Sequence, residues 1–445
     1  MERRDVLKMG ALVGIAGGVG FGLGRRDEVA ARFYEDSMLG QGKLNKVWYR
    51  YKFIGQPVMD TQLLFWLGAA PSGLTDIGEC LDTATRIKVG NETSWFEEWR
   101  KTAQRLESYA ATSAKGGHER SAATLHLRAG AYYRAGLIRY SNHKDPRLVQ
   151  DTVRSLKLHG QALDKLGYDS KEVLIPYEGS YLYGRSYFSP KAKKAPFLVL
   201  HQGLHAWPED TKWVIDGALE RGFHVLSFHG PGQGASLRIY KHPFRPDWEV
   251  PVGAVLDFAQ TEPRFDMDRA VLMGLSFGGY LAPRAASFEK RLYALVANPG
   301  VLSWSDAMLR HFRDIPGIMK MHEQGPGMFN RAIDAISKVM PDARWYFDDV
   351  SWKHGVATPH AVINELKKYD NTKHVGKIRC KTLIMDGAAE DASPGESQRL
   401  FKALSCPKEM MFFDHDSAAQ THCQGGGILL AQARLFDWLD EEVKS

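Results

Sequence analysis

Between residues 33 and 168 the apolar positions recur at helical spacing, with no strand-like alternation. Trp95, Trp99, Ala103, Leu106 and Ala110 fall on one face of a helix. Ser94-Trp95-Phe96-Glu97 reads as a capping box, with Ser94 as N-cap and Glu97 reaching back to it. After Gly116-Gly117 the pattern predicts a second helix over residues 121–140 and a third over 146–166. No period recurs, so an array of helical repeats is not supported. Residues 32–168 are expected to form one helical domain.

From Glu172 the pattern changes to short apolar runs separated by helical stretches: VLIPY, YLYGRSYF, PFLVLHQ, HVLSFHG, RAVLMGLSF, YALVANP, TLIMDG and EMMFFDH. Strands alternating with helices imply a mostly parallel sheet covered on both faces. One intervening helix is expected over Asp210–Arg221, with Asp210 as N-cap and Gly222 past its end. The alternation is interrupted between Val301 and Thr372 by a helical stretch rich in Met and Trp. An insertion there lies above the carboxyl ends of the strands, where ligands bind, and is read as a lid. The α/β core then comprises residues 169–300 and 373–445, split by a lid at 301–372.

Chemistry enters at the end of the fifth run, where Gly274-Leu275-Ser276-Phe277-Gly278-Gly279 lies between the apolar AVLM and a helical continuation. Gly-x-Ser-x-Gly between strand and helix is a nucleophile elbow: glycines clear the space that lets a strained serine raise its hydroxyl above the sheet. Ser276 is the expected nucleophile. Such a serine needs a base and an acid to orient that base, in the chain order Ser, Asp or Glu, His. The loop after TLIMDG offers Glu390 and Asp391, and the reading takes Asp391, with Glu390 as its rival. The loop after EMMFFDH offers His422 as base, while His415 is placed on the strand in a structural role.

The tetrahedral intermediate needs two preset donors. One is expected to be the Phe277 N–H, and the second the Gly203–Leu204 peptide in His201-Gln202-Gly203-Leu204-His205, with Leu204 N–H donating. His201 and His205 flank a strand-to-loop turn, so a metal pair is not expected there.

Composition adds little to this picture. With 44% hydrophobic and 25% charged residues the chain is ordinary for a large globular core. Half of the formal net charge of +6 lies in residues 1–26, and the rest is too scattered to propose nucleic acid as a partner. Cys80, Cys380, Cys406 and Cys423 form no ligand or disulfide spacing, and no cofactor or metal is expected. At the amino terminus Arg3-Arg4-Asp5-Val6-Leu7-Lys8 precedes a mild, glycine-rich apolar stretch. This is the pattern of a twin-arginine export signal over residues 1–31, which predicts a periplasmic protein; the alternative is a cytoplasmic protein with a basic terminus or a short membrane anchor. The stretch is too short to span a membrane comfortably, and no later segment reads as transmembrane.

Several segments together give a resemblance. They are the Trp95-x-x-x-Trp99 helix, the stretch from Arg128 to Arg134 with its Tyr132-Tyr133 pair, and Gly230-Pro231-Gly232-Gln233-Gly234. The elbow with Gly278-Gly279-Tyr280, the His422-Cys423 pair and the closing Phe436-Asp437-Trp438-Leu439 complete the set. From Trp95 to Leu439 the chain resembles a branch of the α/β-hydrolases. That branch includes fermentation-respiration switch esterases, 2,6-dihydroxypseudooxynicotine hydrolase and fungal hydrolases that shorten polyketides. The resemblance implies an α/β-hydrolase fold, the triad Ser276, Asp391 and His422, and a substrate held between helical domain and sheet. Some carbon–carbon hydrolases of the branch use a further carboxylate, for which Asp306 is the candidate.

The expected function is hydrolysis through an acyl-serine, at an ester or an activated carbon–carbon bond of a small aromatic molecule. Trp95, Trp99, Tyr132 and Tyr133 are the aromatic residues offered for such a substrate. The competing readings are an inactive relative that binds a partner and a serine aminopeptidase; a homodimer is left open.

Overall fold

A computed structural model describes residues 48–444, apart from position 314. The export-signal segment therefore lies outside the described residues. Five helices lead: α1 (Pro57–Gly68), α2 (Ile77–Arg86), α3 (Glu92–Lys115), α4 (Glu119–Ile138) and α5 (Arg147–Leu166). The Trp95 face of α3 is buried as its spacing requires, and Trp95 Nε1 donates to the Ala135 carbonyl of α4 at 2.7 Å. The expected capping box is not formed. The helix starts earlier, at Asn91, whose side chain accepts from Ser94 N–H at 2.8 Å; Ser94 Oγ accepts from Lys88 N–H, and Glu97 pairs with Arg147. Asn91 offers the stronger cap, and Glu97 finds a full charge instead of a backbone donor.

The sheet follows, with β1 (Asp169–Tyr177), β2 (Ser180–Phe188), β3 (Ala195–His201), β4 (His224–Phe228), β5 (Phe265–Leu275), β6 (Ala294–Asn298), β7 (Lys381–Gly387) and β8 (Lys408–Phe413). All eight expected strands are present, in the order β1-β2-β4-β3-β5-β6-β7-β8. β2 pairs antiparallel with both β1 and β4, and every other pairing is parallel. A two-residue hairpin joins β1 to β2, with Glu178 and Gly179 both at positive φ as such a turn demands. The central strands β3, β4 and β6 are buried at every residue, which explains their unbroken apolar runs; the edge strand β8 alternates. His415 is not on β8, which ends at Phe413; it is exposed in the turn beyond.

Between β3 and β6 run α6 (Lys212–Glu220), α7 (Gly234–Arg238), α8 (Glu249–Ala259) and α9 (Gly278–Ala286). Asp210 does not cap α6. It lies one residue before the cap position Thr211, in a 3-10 segment, where it accepts from Trp207 N–H and pairs at 2.5 Å with Arg134, whose side chain is fully buried. A buried guanidinium is a stronger claimant on a carboxylate than a helix end. The stretch after β6 holds α10 (Trp304–Arg313), α11 (Ile318–Glu323), α12 (Pro326–Val339), α13 (Pro341–Lys353) and α14 (Pro359–Leu366). The chain closes with α15 (Glu396–Ala403) and α16 (Ile428–Val443), the latter packed with α6 on one face of the sheet through Phe436 and Trp213. Among the described residues no helix is long and apolar enough to cross a membrane.

Candidate active site

β5 delivers its chain to a sharp bend. Ser276 sits at φ +60°, a left-handed conformation that a side chain adopts at a cost of about 1–3 kcal/mol. The bend is tied down by Ser276 N–H donating to Asn298 O at 2.7 Å and by Gly279 N–H donating to Ser276 O at 2.8 Å. A Cβ at Gly274 would lie 2.1 Å from the Gly278 carbonyl oxygen, so the first motif glycine is obligatory. Gly278 is less crowded, 3.1 Å from Gln202 O, while a Cβ at Gly279 would lie 1.7 Å from Pro299 O. The strictest position is thus the one that the five-residue motif omits; the Gly278-Gly279 doublet was its signal.

His422 Nε2 lies 2.9 Å from Ser276 Oγ. Its Nδ1 faces Glu390, at 2.7 Å from Oε2 and 2.9 Å from Oε1. The expected partner Asp391 is displaced from this role by register. Ala389 and Thr421 form a parallel bridge, with Ala389 N–H donating to Gln420 O at 2.8 Å, so Glu390 and His422 follow as neighbours on one side. Asp391 makes no hydrogen bond to the ring, both of whose nitrogens are taken by Glu390 and Ser276. Gly387 makes the approach possible, since a Cβ there would meet Gln420 O at 2.2 Å.

Glu390 Oε1 also accepts from the Ala392 and Ser393 N–H groups, both at 2.9 Å. Burial pushes this acid up, but the facing imidazole and these donors outweigh it and leave it below the usual range, hence ionised. Burial pushes His422 down, yet the Cys423 sulfur and the Glu390 carboxylate together hold it well above the usual histidine value. Asp391 lines the neighbouring cavity, gives its backbone carbonyl to Arg310, and has an acid pushed up to about 6 by the surrounding protein and by the Glu390 charge. Asp306 points elsewhere, into ion pairs with Arg313 at 2.8 Å and Arg399 at 3.0 Å.

The loop after β3 is pressed against the elbow: a Cβ on Gly203 would lie 2.5 Å from Phe277 N and 2.8 Å from Ser276 Cβ. Neither Phe277 N–H nor Leu204 N–H donates to a backbone carbonyl among the described residues. Gln233, in the Gly230–Gly234 segment, holds this loop: its amide donates to Gln202 O and to Gly203 O, while its oxygen accepts from Gly230 N–H at 3.0 Å. The segment's glycines stand out in the sequence, but nothing in their spacing signals the task of its glutamine.

Ser276 and His422 open into a cavity of about 230 Å³ whose wall is mainly apolar. Its aromatic lining comes from Phe65 and Trp66 of α1, Trp213 of α6, Trp304 of α10 and Trp345 of α13. Trp95, Trp99 and Tyr132 do not reach it; they are core residues of the leading helices, with Trp99 stacked on Tyr132 at 5.3 Å. Phe65 meets the His422 ring edge-on at 6.4 Å. Among the described residues no cluster of His, Cys, Asp or Glu is arranged to hold a metal ion.

Comparison with known proteins agrees with this geometry. Residues 197–420 match the model of the alpha/beta hydrolase family. Hydrolase LUC6 of Fusarium sp is 33% identical over 402 residues, which cover 85% of this chain and 95% of that protein. The 20-hydroxy-prefusarin hydrolase FUS2 of Gibberella moniliformis is 30% identical over 411 residues, covering 88% and 97%. The crystal structure of 2,6-dihydroxy-pseudo-oxynicotine hydrolase superposes with a TM-score of 0.64 at 17% identity, over 84% of this chain and 95% of that one, a likeness of fold. A raised serine, a sheet of this order and relatives matched over nearly their whole length converge: the chain belongs to the alpha/beta hydrolase family, and it is a hydrolase.

Proposed function

We propose that Ser276 is the nucleophile of an acyl-serine mechanism, with His422 as general base and Glu390 as the acid that orients it. The observation carrying this reading is the continuous run of hydrogen bonds from Ser276 Oγ through His422 to Glu390. Glu390 fixes the proton on Nδ1, so Nε2 accepts the serine proton as the hydroxyl attacks a carbonyl. The oxyanion is met by Phe277 N–H, at the amino end of α9, and by Leu204 N–H. His422 then returns its proton to the leaving group and activates the water that releases the acid.

The substrate is a small aromatic molecule bearing an ester or an activated carbon–carbon bond. The aromatic wall and modest volume of the cavity support this, and the relative FUS2 is itself a hydrolase of a small molecule, 20-hydroxy-prefusarin. Cleavage of a carbon–carbon bond releases the leaving group as a carbanion, whose carbon takes one proton, from His422 or, in its place, from a cavity acid. Of the two cavity acids, Asp210 is tied to Arg134, whereas Asp391, at about 6, retains a proton on part of the population near neutrality. The inserted helices α10 and α13 act as the lid.

A fluorophosphonate probe should label wild type at Ser276, and Ser276→Ala should lose turnover of an aryl ester by about 10⁶-fold while staying folded. Hydrolysis retained in that variant would remove the assignment.

A further inference from the structure

One ionisable group in the cavity wall takes no part in the steps above. His205 follows Leu204 directly and lines the cavity. Its ring lies nearly parallel to that of Trp345, 5.4 Å away at 25°. Its Nε2 is 3.1 Å from Asp349 Oδ2, on α13. That carboxylate oxygen also accepts from Lys353 Nζ at 2.7 Å, and both Asp349 and Lys353 side chains are all but inaccessible.

The arrangement fixes a tautomer. A carboxylate held ionised by an ammonium group accepts hydrogen bonds and donates none, so the proton of the neutral ring sits on Nε2. Nδ1 then carries a lone pair. It has no protein partner among the described residues, and about a quarter of the His205 side chain stays exposed in the cavity wall. A second proton on the ring is opposed by burial and by the nearby Lys353 charge, which push His205 down to about 4. At neutral pH the ring is therefore an acceptor, and a poor partner for an anion.

Resting on the acyl-serine reading, we propose that His205, oriented by Asp349, is a specificity-determining residue whose Nδ1 accepts a hydrogen bond from a hydroxyl on the aromatic or enolic part of the substrate. An acceptor in a mainly apolar wall discriminates strongly, because a substrate without the hydroxyl leaves the nitrogen unpaired. A phenol or enol fits it, a methyl ether does not, and a carboxylate is repelled.

The test uses the purified full chain and protection of Ser276 from fluorophosphonate labelling. The protecting ligands are the ortho, meta and para hydroxyacetophenones, each paired with its methyl ether. In wild type at least one hydroxy compound should protect at a concentration ten or more times lower than its ether. That advantage should fall to twofold or less in His205→Phe, which keeps a ring against Trp345, and in His205→Leu, should the first variant fold poorly. His205→Gln, which retains an acceptor oxygen, should keep part of it. The assignment is overturned if no hydroxyl outperforms its ether by threefold in wild type, or if the advantage survives in the Phe or Leu variant. Absence of any wild-type labelling would instead strike at the nucleophile itself.

Discussion

Replacing Glu390 by Gln changes one oxygen to an amide group and tests which carboxylate serves the histidine. Glu390 Oε1 accepts two backbone N–H groups, from Ala392 and Ser393. In the variant the amide oxygen keeps that place, which directs the NH₂ toward His422 Nδ1. A donor facing Nδ1 forces the imidazole proton onto Nε2, the atom that must accept from Ser276. The electrostatic loss adds to this. With Glu390 Oε2 2.7 Å from Nδ1, the charge centres of carboxylate and imidazolium are about 4 Å apart, worth about 4 kcal/mol at an effective dielectric of about 20. That corresponds to about a thousandfold in rate, and the wrong tautomer lowers it further. Glu390→Gln should therefore reduce kcat on an aryl ester by 10³-fold or more, on the order seen when a triad acid is amidated. Asp391→Asn should reduce it by less than about tenfold, because residue 391 does not touch the ring. The assay is steady-state hydrolysis, with fluorophosphonate labelling and thermal denaturation to show a folded site. Activity within tenfold of wild type in Glu390→Gln, or an equal fall in Asp391→Asn, would refute the register argument.

Three further outcomes are expected. His422 must be neutral to act as base, and its value is raised, so kcat/KM should climb with pH through an inflection above 6.5; in Glu390→Gln the residual activity should have its inflection at lower pH. A pH profile of wild type flat from 5 to 8 would contradict this. Gly279→Ala drives a methyl group against the Pro299 carbonyl and should cost about 3 kcal/mol or more, read as a lowered urea midpoint or insoluble protein; a fully stable variant would show that the elbow yields. Arg134→Met leaves the largely buried Asp210 without its cation and should cost about 3 kcal/mol by the same measurement, whereas an unchanged midpoint would deny that the pair locks the leading helices to the sheet.

The eight strands and the elbow were legible because their signals are local: unbroken apolar runs for strands covered on both faces, and glycines where backbone meets backbone. Ser276 is marked by the elbow itself, and His422 by its place in the chain order. The acid did not, because Glu390 and Asp391 differ by one residue, and only the Ala389–Thr421 bridge decides which faces the ring. Long-range pairing of that kind leaves no trace in the spacing. The cavity aromatics escaped for a related reason: Trp95 and Trp99 announce themselves by helical period, but period reports burial, not which interface a side chain is buried in. Asp210 and Glu97 misled as helix-end signals since each was claimed by a distant arginine.

The contact between α1 and the histidine loop has a practical corollary. Gly68 abuts Gly426 so closely that a methyl group would lie 2.6 Å from its nitrogen, and Phe65 would meet one placed on Gly425 at 2.5 Å. The two segments are some 360 positions apart along the chain yet form a single fitted joint. A chimera that takes its front helices from one homologue and its sheet from another will misalign His422 unless residues 422–427 travel with the donor helices.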